Sequence, residues 1–437
     1  MPINQGEIMW PRLVANKVFR KRTGSNNFFA DFRTNSDAIL EGTSGVVDHD
    51  QPYLNTKAIF NPHNHNHKYK VFVSTWNVAG VEPHEDLNLE DWIDPSCDIY
   101  VLGFQEIVPL KASNVLGSEN SKITMKWNSL IRQVLNNKLH RVKHKEKDQK
   151  IQKLQNFFTI KTEKLQDFQC IISKQMVGIL ISVWVRSDLR PFVHHPSVSC
   201  VGCGIMGCLG NKGSVSVRFR LHGTSFCLVC CHLASGGGEG DEKHRNSDVS
   251  EIMSRTSFPR VPLLDLPRKI LDHDQVILLG DLNYRISLPE ETTRLLVDGG
   301  EWNVLLENDQ LRKELIDGQV LEGWHEGDIK FPPTYKYCPN SDTYFGCVQG
   351  RKDEKRRAPA WCDRIIWYGK GLNQHLYTRG ELKLSDHRPV KAIFTAEVGV
   401  EPIIKGFHQS FFLSERFEQI TNKFEVSSTN DFVCKSR

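Results

Sequence analysis

Six stretches of this sequence close or open an apolar run with a side chain that can bind a metal, move a proton or hold a phosphate. KVFVSTW runs into Asn77, DIYVLGF into Gln105 and Glu106, SFCLVCC into His232, and QVILLG into Asp281 with Asn283 close behind; PAWCDRIIW carries Asp363, and His387 precedes PVKAIF. One such ending means little, since an Asp after a strand is usually a turn former. Six are harder to dismiss, because strands that finish at one rim of a sheet gather residues far apart in sequence into one cleft. The set suits metal-assisted phosphate chemistry. Hydrolysis of a phosphate monoester is very slow without catalysis, so a site must neutralise charge, supply a nucleophile and help the leaving oxygen. Glu106, with Asn77 beside it, offers the oxygen ligands that Mg²⁺ prefers. Asp281 can orient and deprotonate a water, and Asn283, in an extended segment, would point the same way and hold that water or a phosphate oxygen. His387 can donate to phosphoryl oxygens as charge builds, and His232 is a second phosphate donor, although a single His after a strand is more often a hydrogen-bonded core residue. Asp386 is better suited to orienting local structure or assisting the metal than to the chemistry.

These side chains need a scaffold of strands. From Lys70 to about Val398 short apolar runs recur between Gly, Pro, Asn and Asp turn signals, which predicts a mixed α/β domain. The strand candidates are KVFVSTW, DIYVLGF, MVGILISVWV, SVSVRFR, SFCLVCCHL, QVILLGD, DRIIWYG and PVKAIFTAEV. Helices are expected at 123–136, 246–255 and 301–316. Residues 1–68 read as an irregular extension, 69–398 as the catalytic domain with a charged insert at about 140–167, and 399–437 as a tail. The insert is expected to be a solvated helix or a loop. There is no internal repeat.

Composition narrows the class. The 437 residues carry 56 Lys plus Arg against 52 Asp plus Glu, a net charge of +4, too balanced to predict nucleic-acid binding from bulk charge. No run reaches the roughly 18 apolar residues a membrane span needs, and the start lacks the apolar region of a secretory signal. An intracellular, cytoplasmic protein is expected, with peripheral membrane or nuclear pools allowed. Cys200 and Cys203 with Cys227 and Cys230 copy a zinc-ribbon spacing. FCLVCCHL reads as a buried strand, however, whose alternate side chains face opposite ways and would not readily converge on one ion. His63, His65 and His67 fit an exposed polar spacer better than a metal site, and the residues after Cys434 are wrong for prenylation.

Eight motifs then occur in order: TWNVAG (75–80), FQEIVPL (104–110), GCLGNKGSVSVRF (207–219), CHLASG (231–236), GDLNYRI (280–286), FPPTYKY (331–337), PAWCDRIIW (359–367) and SDHRPV (385–390). Together they resemble the inositol polyphosphate 5-phosphatases of the exonuclease-endonuclease-phosphatase superfamily, over roughly 66–398. MWPRLVANKVFRKRTGSNNFFADF and CHLASGGGEGDEKHRNSDVSEI further resemble the plant type I members. The resemblance implies a deoxyribonuclease-like, four-layer sandwich of two packed mixed β-sheets flanked by helices. It implies a Mg²⁺ site at Asn77 and Glu106, and a His387 paired with Asp363. GNKG offers Lys212 charge between glycines that let backbone approach an anion, and the resemblance sets Asn211 and Lys212 toward the 1-phosphate. It assigns Tyr335, Lys336, Lys355 and Arg357 to the 4-phosphate. RKDEKRR by itself reads as a nuclear-import patch or solvated loop.

The expected reaction is Mg²⁺-dependent removal of the 5-phosphate from inositol phosphates or phosphoinositide lipids, by in-line attack of water. The motif region offers neither a P-loop cysteine nor a DxDx(T/V) aspartate for a covalent phosphoenzyme. Two rivals are a nuclease of the same superfamily and a catalytically silent phosphoinositide-binding scaffold; the intact set of Asn77, Glu106, Asp281, Asn283 and His387 argues against the second. The segment between TYK and KRR has its own length and composition, so contacts borne on it do not carry over. Partners are expected to be inositol phosphates or phosphoinositides with a peripheral membrane contact, and not nucleic acid.

Overall fold

The computed structural model describes residues 27–31, 66–117, 121–147, 167–204, 207–262, 264–317, 320–346 and 357–400. The strands are β1 (Asn66–Asn77), β2 (Ile99–Gln105), β3 (Phe168–Met176), β4 (Ile179–Arg186), β5 (Val193–Gly202), β6 (Gly213–Leu221), β7 (Thr224–His232), β8 (Gln275–Asp281), β9 (His325–Glu326), β10 (Asp363–Gly369), β11 (Leu372–Arg379) and β12 (Val390–Gly399). The helices are α1 (Ala112–Leu116), α2 (Ser121–Lys147), α3 (Asp241–Arg255), α4 (Glu290–Asp298), α5 (Trp302–Glu307) and α6 (Gln310–Asp317).

Two six-stranded sheets result, ordered β11-β12-β1-β2-β4-β3 and β5-β6-β7-β8-β10-β9. In each, the central pair is parallel, β1 with β2 and β7 with β8, and the other neighbours are antiparallel. The sheets are therefore mixed, as expected, and are related by a common pattern that the sequence does not display as a repeat. Three apolar layers hold them together. Val73, Val101, Ile181, Val217, Leu228, Leu279 and Phe394 fill the space between the sheets. Trp76, Trp92, Phe104 and Trp184 pack outward with Trp127 and Ile131 of α2, and Val229, Leu278 and Ile366 pack with Val249 of α3 and Leu311 of α6. Helices thus cover both outer faces, completing the four-layer sandwich.

All eight strand candidates are strands. The four that the sequence pattern did not reveal, β3, β5, β9 and β11, are the four sheet edges. An edge strand keeps polar or half-exposed side chains, as in LNQHLYTR of β11, so its period-2 signal is weak. The edge of β3 is itself met by residues from the region read as an irregular extension. Phe29 pairs with Ser173 through two backbone hydrogen bonds, and Asp31 accepts from the Cys170 amide at 2.7 Å and from Arg132.

The helix expected at 301–316 is two. It breaks between α5 and α6, where Asp309 is fully buried and receives Arg364 Nη1 at 2.9 Å on both oxygens. An uncompensated guanidinium in the core is costly, and delivering this carboxylate overrides the apolar periodicity. The helix expected at 123–136 spans Ser121–Lys147, so the start of the charged insert is helical; α3 begins five residues before the expected 246. Cys227 and Cys230 lie on opposite faces of β7, in different apolar layers, so their thiols cannot converge on one ion. No described helix is long and apolar enough to cross a membrane. His63, His65 and Cys434 lie outside the described residues.

Candidate active site

The topology explains how six distant residues reach one rim. Parallel β1 and β2 end there, at Asn77 and Gln105, as do parallel β7 and β8, at His232 and Asp281. Antiparallel β10 and β12 begin there, with Asp363 opposite Asp281 in register and His387 three residues before β12. His232, Asp281 and Asp363 are thus lateral neighbours in one sheet, with their side chains on one face. Gly280 makes the approach of β7 and β8 tolerable: at φ +156° a Cβ would stand 2.0 Å from the Cys231 carbonyl oxygen.

Asp281 is the centre. Asn77, from the other sheet, donates Nδ2 to its Oδ2 at 2.9 Å, and His232 Nε2 lies 3.2 Å from the same oxygen. Burial alone would raise the Asp281 pKa, but the bond to His232 and the charges of His387 and Lys212 override it and hold the carboxyl well below the usual range. Asp281 is therefore an anion at neutral pH. His232 is buried, with Nδ1 unpartnered among the described residues and Nε2 in contact with Lys212 Nζ. Burial first, and then that cation, lower its pKa. Burial also lowers the pKa of Lys212, against the pull of Asp281 and Glu106.

His387 holds Asp363 through Nδ1 at 2.8 Å, and Thr334 donates its hydroxyl to the same Asp363 oxygen at 2.7 Å. Burial pushes the imidazole pKa down, yet the Asp363 carboxylate, with Asp281 behind it, lifts it to about 9. Burial raises the pKa of Asp363 in turn, against the pull of that imidazole. Asp281, Asp363 and His387 bring their ligating atoms within 4.8 Å of one another; the bond between His387 and Asp363 already uses two of those groups on each other. Glu106 approaches the same His232 nitrogen, 3.8 Å from Nε2, at φ +54°. Its half-buried carboxylate accepts no hydrogen bond among the described residues, while Asn77 Oδ1 accepts only the Ala79 amide, at 2.9 Å. This all-oxygen pair fits a hard divalent cation.

Other expectations meet the geometry unevenly. Asn283 is not extended: it adopts φ +57°, and its amide is held by Leu233 and Arg285. The glycines around Asn211 and Lys212 answer to packing, since a Cβ on Gly213 would sit 1.9 Å from the Val201 oxygen and one on Gly210 2.8 Å from Met176. Lys212 reaches the site, and Asn211 Oδ1 is buried without a partner among the described residues. Tyr335 packs against His387 with ring centroids 4.5 Å apart, Lys336 pairs with Asp386 at 3.4 Å, and Arg357 is near enough to influence the Tyr335 hydroxyl. Lys355 lies outside the described residues.

Comparison with known proteins follows the same lines. Residues 74–393 match the Endonuclease/Exonuclease/phosphatase family 2. An Arabidopsis thaliana type IV inositol polyphosphate 5-phosphatase 9 is 62% identical over 419 residues, covering 94% of this chain and 96% of its own. The chain belongs to the inositol polyphosphate 5-phosphatases. It is accordingly a phosphoric monoester hydrolase. Type I inositol polyphosphate 5-phosphatase 8 of Arabidopsis thaliana is 44% identical, covering 90% of this chain and 87% of its own. The 5-phosphatase domain of SPsynaptojanin, solved in complex with inositol (1,4)-bisphosphate and a calcium ion, superimposes with a TM-score of 0.63 at 29% identity, covering 84% of this chain and 94% of that one.

Four residues of this 5-phosphatase site carry no assignment in the sequence reading. Ser385 donates to the Asn77 carbonyl at 2.7 Å and accepts the His387 amide at 3.1 Å, tying the end of β1 to the turn before β12 within one sheet. Trp76 Nε1 donates to the His387 carbonyl at 3.2 Å, Thr334 braces Asp363, and Arg285 braces Asn283. All four stand inside the quoted motifs. The signal was present; their bonding partners were not legible.

Proposed function

We propose that this 5-phosphatase removes the 5-phosphate from inositol polyphosphates and phosphoinositides such as Ins(1,4,5)P3, PtdIns(4,5)P2 and PtdIns(3,4,5)P3, with Mg²⁺, by direct attack of water. The observation that carries the reading is the buried Asp281 anion set between Asn77, His232 and the His387–Asp363 pair. Asp281 orients the water. Its low pKa makes it a weak base, so it takes the proton late, as the new P–O bond forms and the water becomes acidic. His387, protonated at neutral pH, donates from Nε2 to the phosphoryl oxygens as negative charge grows there. His232 and Lys212 face the same anion. Glu106 and Asn77 would hold Mg²⁺, which supplies charge neutralisation for the phosphoryl group when bound. The inositol (1,4)-bisphosphate and calcium ion in the SPsynaptojanin complex support both the substrate class and the need for a divalent ion.

The test is phosphate release across a panel of soluble and lipid inositides carrying or lacking the 5-phosphate. We expect release only from 5-phosphorylated members, abolished by a chelator and restored by Mg²⁺. Release that persists in the chelator, or that spares the 5-position, overturns the proposal.

The cations beside Tyr335 read the neighbouring phosphate in this proposal. A charge-assisted bond in a desolvated pocket is worth about 1.5–3 kcal/mol, so Lys336→Ala combined with Arg357→Ala should lower kcat/KM for 4-phosphorylated substrates by ~10-fold or more beyond its effect on those lacking that group. Equal losses on both classes, measured side by side, would show that these residues provide general attraction alone.

A further inference from the structure

Arg285 is buried, 8% exposed, and follows Asn283 by two residues. Its Nη2 donates to Asn283 Oδ1 at 2.7 Å and its Nε to the Asn283 carbonyl at 3.1 Å. The same guanidinium lies 4.6 Å from the centroid of the Tyr335 ring, which packs on His387. Its backbone amide is fixed in turn: Gln310 Oε1 accepts it at 2.8 Å and accepts the buried Arg245 at 2.7 Å.

A guanidinium has donors only, so Asn283 must turn its amide oxygen toward Arg285 and its nitrogen away. One N–H of that nitrogen goes to the Leu233 carbonyl at 3.2 Å. The other has no acceptor among the described residues, and the Asn283 backbone amide is bonded to Asp281 Oδ1 at 3.1 Å, which keeps the side chain next to the reacting centre. We infer that Arg285 is a positioning residue that fixes the Asn283 amide so that it meets the substrate as a donor and never as an acceptor, and that it couples this amide to Tyr335 of the FPPTYKY segment. The inference rests on the proposed reaction at Asp281 and Asn283. It narrows the role of Asn283 to donation toward a phosphoryl oxygen or a water lone pair. Without Arg285 only the Leu233 contact would oppose a half-turn that presents the amide oxygen, which would repel both.

The experiment compares Arg285→Met, which has no donor, with Arg285→Gln, which can still donate to Oδ1, each also on an Asn283→Ala background, using a soluble inositol polyphosphate. We expect Arg285→Met to lower kcat by ~100-fold with KM within ~3-fold, Arg285→Gln to recover ~10-fold of that loss, and Arg285→Met added to Asn283→Ala to cost no more than ~3-fold, since it would act through a group already gone. Full multiplicative losses, equal rates for the Met and Gln variants, or a loss confined to KM would each overturn the inference. If Arg285→Met does not melt cooperatively, Arg285→Lys replaces it in the same cycle, with the same non-additivity required. Failure of the proposed reaction reads differently: the unaltered protein would then release no phosphate from any 5-phosphorylated inositide.

Discussion

Asp281→Ala will yield a folded protein whose turnover of 5-phosphorylated inositides is ~10³–10⁴-fold lower, the scale expected when a group that orients and deprotonates the nucleophile is removed. The carboxylate has no substitute at its position. Asn77 and His232 both bond to its Oδ2, and Asp363 stands opposite it in register, but Asp363 is committed to His387 and Thr334. The fold should survive because the apolar layer between the two sheets is untouched and the rim keeps the His387–Asp363 bond across them. Relief of repulsion among Asp281, Asp363 and Glu106 should offset part of the lost bonding, as is common when a catalytic carboxylate is removed. Thermal melting and initial rates on the same preparation check both halves. Activity within ~10-fold of the unaltered protein would remove Asp281 from the mechanism.

Asp363→Asn should have the second largest effect, a ~10²–10⁴-fold loss of kcat at pH 8 with a changed pH profile. Its carboxylate holds the His387 pKa near 9, although burial works against it. With the protonated imidazole as the competent form, kcat/KM of the unaltered protein should fall as pH rises through about 9. In Asp363→Asn that descending limb should move down toward the ordinary histidine value of about 6.5 or below. Stability follows the same sign. A folded-state pKa raised above the unfolded one contributes stability that is complete below the unfolded value and is lost as pH rises through the folded value. The melting temperature of the unaltered protein should therefore decline across that window, and the variant should lack the decline. A limb that stays near 9 in Asp363→Asn would assign it to another group.

The central strands were legible because each is apolar on one face or both, and a sheet interior leaves no alternative to that pattern. QVILLGD is wholly buried in β8, and PVKAIFTAEV alternates with period 2 in β12. The edges escaped notice for the same reason in reverse: β3, β5, β9 and β11 end their sheets and carry polar side chains that weaken the apolar pattern. Helix 301–316 was misread because Asp309 looks like any surface aspartate until Arg364 is seen beneath it.

The ordered motifs by themselves determined the family and the reaction class and nominated Asn77, Glu106, His232, Asp281, Asn283, Asp363 and His387 as candidates, since residue type and strand-end position are written in one dimension. Tertiary structure alone decided which of these groups face one another. The Asp281 pKa is pulled down and that of His387 pushed up only because β8, β10 and the turn before β12 converge, and the amide of Asn283 is held in one sense by Leu233 on its nitrogen and Arg285 on its oxygen. Charge states and hydrogen-bond direction depend on distances of a few ångströms between segments far apart in the chain, and those distances are set by how two sheets pack.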